Sequence, residues 1–182
     1  LDPAQLLSVI ATASKYRVDG ILCHGIELSD VCAQACHALG LPGVKPPAAR
    51  ICSDKLMLAE CLRNAGIPHP ETYRVQESLL QYEDRIFKPS DTSGARGISF
   101  LKSTASHVES NAAFEFAKQN CRAGVPIVQR YIPGRRQISI EGCVVDRRFH
   151  LFAMADRHYD RVETPMLEDG HTTPADLTSA MQ

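Results

Sequence analysis

The chain has 182 residues, 44% of them hydrophobic, and a formal charge of -1 at pH 7. That is enough to bury a globular core, and too neutral for the basic stripe that carries nucleic-acid binding. No stretch reaches the roughly 20 consecutive apolar residues that cross a bilayer, and the N-terminus lacks the basic, apolar, small-residue order of a signal peptide. A cytoplasmic protein that binds a small molecule or a protein is expected, with neither nucleic acid nor membrane as partner. The 7 cysteines are odd in number and lack a CxxC pair, which reads as free thiols in a reducing compartment. Cys32, Cys36 and His37 lie close on one predicted helix, but no second ligand pair stands at zinc spacing, so they read as structural and no metal ligand is assigned.

Residues 4–16 (AQLLSVIATASKY) carry apolar side chains at helical spacing behind Asp2-Pro3, an acidic cap with an early proline. VDGILCHG (18–25) reads as a short buried strand, and a helix over 28–39 is expected to end at Gly40. Helix, strand, helix is the order of a parallel α/β layer met without its opening strands. Because the chain also starts without Met, a fragment is expected. VKPPAAR (44–50) reads as a proline-bearing link. It leads into ICSDKLMLAECLRNAG (51–66), where Ser53 or Asp54 caps a helix and Gly66 stops it.

IPHPETYRV (67–75) is extended, since residues before proline avoid the helical region. A strand over 85–89 enters the segment FKPSDTSGARGISF (87–100), ISFLKS (98–103) leaves it as a second strand, and a helix covers about 107–123 before Gly124. VPIVQRYI (125–132) is a strongly apolar strand. RRQISIEG, CVVD and RRFHLFAMAD alternate as antiparallel strands joined by tight turns at Glu141-Gly142 and Asp146. The tail is loop-like and begins a helix near Pro174, with Thr173 as its cap.

FKPSDTSGARGISF gathers glycines, serines, a threonine and two cationic side chains between apolar flanks. GxxxxGK[ST] and GxGxxG are both absent, so the segment is a glycine-bearing hairpin loop behind a lysine on the incoming strand. Two readings are open. It is either a solvated hairpin, or a cover whose backbone N–H groups fold over phosphate oxygens while Lys88 supplies charge.

Taken together, SDK opening a helix that closes in AGIPHPETYRV, then IFKPSDTSGARGI, then VQRYIPGRRQISIEG resemble the ATP-grasp superfamily. The branch is the one that includes carbamoyl-phosphate synthetase, biotin carboxylase and amino-acid ligases, and the resemblance spans about residues 45–182. It implies an α/β (α+β) fold: residues 1–46 as the end of a parallel pre-ATP-grasp layer, and 47–182 as the two ATP-grasp lobes, the second truncated. Position by position, it implies that Lys55 and Lys88 contact ATP phosphates, where an ammonium neutralises charge that impedes attack at the γ-phosphate. Ser93, Gly94 and Gly97 match the loop that closes over the triphosphate. VQRYI matches the hinge strand whose backbone at Arg130 and Ile132 meets the adenine edge, with Gln129 where many members carry an acidic residue. Gln137 falls near the ribose.

Plainer readings stay open beside these: a solvated Lys55 in a first helical turn, a solvated Arg96, and Gln137 as a surface strand residue. Arg147 and Arg148 face either a carboxylate substrate or solvent, and His158 and His171 touch either phosphate or nothing. The resemblance implies ATP and Mg²⁺, with the metal ligands beyond the tail helix, so none of Glu141, Glu163, Glu168 and Asp169 is assigned to metal. The implied activity is a ligase that phosphorylates a small-molecule carboxylate with ATP and passes the acyl phosphate to an amine. A homo-oligomer is compatible with this, and the chain itself is expected to bind ATP weakly without turnover. The alternatives are a non-catalytic nucleotide-binding regulatory module of the same fold, and an unrelated α/β interaction domain whose glycine hairpin binds nothing.

Overall fold

The computed structural model describes residues 2, 4–24, 26–75, 83–134, 136–159 and 168–177. The chain divides into two compact units, Leu1–Tyr131 and Ile132–Gln182. No helix among the described residues is long and apolar enough to cross a membrane.

In the first unit, α1 (Leu6–Tyr16) starts after Asp2, whose carboxylate accepts the Ala4 N–H at 3.0 Å; Pro3 lies outside the described residues. Helix α2 (Ser29–Leu39) ends as expected at Gly40, in a left-handed conformation. Between them the predicted strand does not form, and residues 18–24 are irregular, with Gly25 outside the described residues. No described strand lies alongside to satisfy their backbone groups. Leu22 is 87% exposed, and the Ile21 carbonyl instead accepts the thiols of Cys32 and Cys36 at 3.4 and 3.9 Å. That contact accounts for both cysteines structurally.

The expected proline link is also a helix. Pro46 and Pro47 sit in the first turn of α3 (Pro46–Ser53), where their missing N–H groups have no intrahelical partner to lose. Asp54 interrupts the run with extended backbone and caps α4 (Lys55–Asn64), accepting the N–H groups of Leu56 and Met57 at 2.9 and 3.1 Å. The cap fixes where Lys55 begins.

Four strands, β1 (Thr72–Arg74), β2 (Arg85–Pro89), β3 (Ser99–Leu101) and β4 (Pro126–Arg130), form one antiparallel sheet in the order β1-β4-β2-β3. Pairing Phe87 with Val128, and Tyr73 with Val128, puts these side chains on one face. Helix α5 (His107–Gln119) covers that face with Ala113 and Phe114. A capping box between Ser106 and Glu109 starts α5. It stops at Gln119, four residues short of the expected end, because the next N–H groups turn to a carboxylate: those of Arg122, Ala123 and Gly124 donate to Asp91 at 3.1, 2.7 and 2.6 Å.

The second unit holds β5 (Gln137–Val145), β6 (Arg148–His158) and β7 (Gly170–Thr172), antiparallel in that order. The turn at Asp146-Arg147 is present, with φ of 49° and 63°, the backbone of a type I′ hairpin. The turn expected at Glu141-Gly142 is not. There β5 runs straight through a bulge, Glu141 facing Ala153 and Gly142 facing Leu151, with Phe152 the extra residue. Glycine is required for close approach rather than for turning, since a Cβ at 142 would lie 2.4 Å from the Phe149 ring and 2.5 Å from the His150 carbonyl. The bulge also resets the alternation, so Ile138, Ile140 and Val144 share a face with Met154, Leu151 and Phe149.

The tail, expected as loop and then helix, contains β7 instead. Residues 174–177 are not helical, while 178–182, like Glu163, lie outside the described residues. Antiparallel sheets, the first with α5 packed on one face, are of the expected α+β class.

Candidate functional site

Strand alternation sends Lys88, Ile86, Gln129, Thr72 and Ile127 to the sheet face opposite α5. There Lys88 Nζ donates to Gln129 Oε1 at 2.6 Å, Gln129 Nε2 donates to Thr72 Oγ1 at 2.8 Å, and Thr72 Oγ1 donates to the Pro70 carbonyl at 2.9 Å. The relay orients the glutamine amide, because Thr72 Oγ1 spends its one proton on a backbone carbonyl and must accept from the amide nitrogen. Lys88 therefore has a neutral partner, and no carboxylate pairs with it among the described residues. Burial, and then the nearby Lys55 ammonium, push the Lys88 pKa from 10.5 down to about 8. Phe100 and Tyr131 meet edge to face on the same side of the sheet, ring centroids 4.8 Å apart.

Lys55 lies at the root of the glycine loop. Its ammonium donates to the carbonyls of Thr92 at 2.7 Å and Ser90 at 3.3 Å. Burial lowers its pKa, opposed by the charges of Asp91, Asp54 and Cys121. The solvated reading of Lys55 is therefore set aside. Ser90, fully buried, donates from Oγ to Asp54 Oδ2 at 2.8 Å and from its N–H to the Val125 carbonyl at 3.0 Å. Thr92 Oγ1 donates to the Asn120 carbonyl at 2.7 Å. Burial raises the Asp91 pKa, but the N–H groups of Ala123, Arg122 and Gly124 outweigh it and hold the carboxyl below the usual range.

Beyond this pinned root the loop tip is exposed at Ser93, Gly94 and Arg96. Gly94, Ala95 and Gly97 all have left-handed backbone, with φ of 70°, 57° and 70°. Gly97 packs inward, and a Cβ there would lie 2.6 Å from Asn120 Cβ and 3.0 Å from Pro89 Cγ. Arg96 is not simply solvated. It donates from Nε to the Ser93 carbonyl at 3.1 Å and from Nη2 to Glu27 Oε2 at 2.8 Å.

The remaining sequence candidates divide by unit. Arg130 is exposed, pairs with Glu71 at 3.0 Å and Glu83 at 2.6 Å, and gives its backbone N–H to the Glu71 carbonyl at 2.9 Å. Ile132 and Gln137 belong to the second unit, both exposed, with Gln137 opposite Arg157 in the hairpin. Arg147 and Arg148 are exposed at the hairpin end. His158 meets Thr172 Oγ1 at 2.7 Å, and His171 meets Glu168 Oε1 at 2.5 Å beside the Arg157–Glu168 pair, so both histidines tie together β6 and the residues around β7. Among the described residues no group of three or more His, Cys, Asp or Glu converges to hold a metal ion.

Thr72 and Glu27 were not legible in the sequence. Thr72 lies within AGIPHPETYRV without being singled out, Glu27 sits in no motif, and both act through partners more than 50 residues away.

The ATP-grasp domain family model matches residues 52–182, and the chain belongs to that family. Among solved structures it is similar to an L-amino acid ligase from Bacillus licheniformis, at 17% identity and TM-score 0.72 over 97% of this chain and 42% of that one. It is likewise similar to the biotin carboxylase domain dimer of Hydrogenobacter thermophilus 2-oxoglutarate carboxylase, in complex with MgADP, ADP and bicarbonate. That likeness is at 15% identity and TM-score 0.74, over 96% of this chain and 41% of the other. N5-carboxyaminoimidazole synthetase from Staphylococcus aureus, complexed with ADP, gives 14% identity and TM-score 0.72 over 100% of this chain and 48% of that one. At these identities the likeness establishes the fold, and the chain spans less than half the length of each. No curated protein sequence matches it.

Proposed function

We propose that the Lys88 face of the first sheet binds the triphosphate of ATP in an enzyme that activates a carboxylate as an acyl phosphate for attack by an amine. The observation that carries this reading is the Lys88 ammonium: buried, hydrogen-bonded to a neutral amide, and depressed further by a second ammonium at Lys55. Lys88 faces a second cation, and no carboxylate among the described residues pairs with it, an arrangement that is electrostatically unfavourable until an anion joins. A polyphosphate supplies that charge.

In this reading Lys55 and Lys88 hold phosphate oxygens, and the Ser93–Gly97 loop presents backbone N–H groups over them. Ile86, with the Phe100–Tyr131 pair on the same face, offers apolar surface to the purine. The Arg130 backbone remains the proposed contact to adenine. Residues 47–182 as an ATP-grasp domain, with 1–46 as the end of a preceding layer, are the proposed division. ATP brings a phosphoryl group that converts a poor leaving group into a good one, and this chain's own residues bind and orient it and screen its charge. Mg²⁺ is proposed for the full enzyme, as the MgADP-bound relative suggests, and no residue of this chain is assigned to it.

The test is an ATP titration by calorimetry of the wild type and Lys88→Ala. Loss of a charge-assisted contact is expected to weaken binding about 10–100-fold. Equal affinity in the two proteins would remove the phosphate role.

A further inference from the structure

The sequence around Glu27 carries no motif, yet its carboxylate is the meeting point of two guanidinium groups from distant parts of the chain. Glu27 Oε2 accepts Arg96 Nη2, from the glycine loop, at 2.8 Å, and the same oxygen pairs with Arg122 Nη2, from the turn after α5. Arg122 Nη1 also donates to the Glu27 backbone carbonyl at 2.8 Å. Arg122 is in turn anchored by its own N–H on Asp91, so the clamp connects the loop tip to the loop root. The carboxylate lines a cavity of about 410 Å³ together with Lys55, Ser93 and Arg122, and with two further carboxylates, Asp30 and Asp91.

Of the carboxylates there, Glu27 is the one that pairs with two arginines, whereas Asp91 is satisfied by three backbone N–H groups and, with Asp54, offsets the Lys55 charge; Glu27 is thus the group an anionic ligand would replace at the two guanidinium groups. Guanidinium forks bind carboxylate and phosphate by the same geometry. We propose that Glu27 is an internal counter-anion: it holds the 93–97 loop through Arg96 and Arg122, and a phosphate-bearing ligand displaces it. The inference rests on the ATP reading above, since it names what releases the loop of that same site. Partly exposed ion pairs are weak and exchange readily, which suits a latch. A contact present only in the ligand-free state lowers ligand affinity by the factor that its removal restores.

The experiment compares wild type, Glu27→Gln and Glu27→Asp. ATP and sodium tripolyphosphate are titrated by calorimetry, and limited trypsin cleavage after Arg96 is followed by mass spectrometry without ligand. Cleavage after Arg147, at the exposed hairpin turn, serves as the internal control. Glu27→Gln is expected to bind both ligands roughly 2–10-fold more tightly and to be cut faster after Arg96, with cleavage after Arg147 unchanged. Glu27→Asp, which keeps the charge on a shorter arm, should fall between. ATP bound with one Kd by all three proteins overturns the latch and leaves the phosphate site standing. ATP bound by none of them overturns the phosphate reading and the latch together. Unchanged cleavage after Arg96 in Glu27→Gln removes the restraint on the loop.

Discussion

The two sheets are written in the same alternating code, yet only the first has its apolar face covered. Phe87 and Val128 are 4% and 0% exposed beneath α5. On the β5–β6 hairpin, Val144 and Phe149 are 68% and 58% exposed, and every described element of that unit is a strand. Alternation marks which face of a sheet is apolar; whether that face is buried depends on a helix arriving there. Lys88 lies on the opposite face, beside the fully buried Ile127 and Thr72. Lys88 and Gln129 alternate with the core residues Phe87 and Val128, so the packing that orders the strand also aims the ammonium.

Removing the core of the first sheet should have the largest effect. Phe87→Ala is expected to destabilise the first unit by about 3–5 kcal/mol, the cost of deleting a buried aromatic and leaving a cavity, read from the midpoint of urea unfolding. An effect as small as that of a surface change would remove the distinction between the sheets.

Gly142→Ala tests the second sheet at its bulge. The added methyl meets the Phe149 ring and the His150 carbonyl, and an overpacked site of this kind costs about 1–3 kcal/mol. Hydrogen exchange should quicken across β5 and β6 while β2 and β4 keep their protection, because the change lies wholly within the second unit.

The Lys88 face has its own pH signature. The folded pKa of Lys88, about 8, lies below the ordinary 10.5, so the unfolded chain binds the proton more tightly and the Lys88 contribution to stability grows as pH rises from about 8 towards 10.5. Wild type should gain stability over that window relative to Lys88→Met, measured as the difference in urea midpoint at each pH. ATP affinity should fall over the same range, by at most about tenfold per pH unit, because phosphate needs the ammonium. A flat difference would return Lys88 to an ordinary solvated lysine.

Phe149→Ser should matter least. On an uncovered face it is expected to change stability by no more than about 0.5 kcal/mol, with improved solubility by light scattering as the second readout. A loss comparable to that of Phe87→Ala would show that the hairpin face is covered after all.

The sequence by itself determined the elements whose signals are local. The strand over 85–89 coincides with β2, the stop at Gly40 with the end of α2, and the cap expected at Ser53 or Asp54 with Asp54 at the start of α4, because capping, glycine backbone freedom and period-two alternation act between near neighbours. It also singled out Lys88 and the glycine loop, since a lysine inside an apolar strand requires a partner wherever it folds, while Lys55 came only through the family resemblance. Only the tertiary structure decided who those partners are. Gln129 is 41 residues from Lys88 and Glu27 is 69 from Arg96. Residues 18–24 lack a neighbouring strand, and Gly142 faces a ring brought by the other arm of its hairpin. Each of those outcomes depends on what the fold brings alongside, a quantity no local pattern of side chains contains.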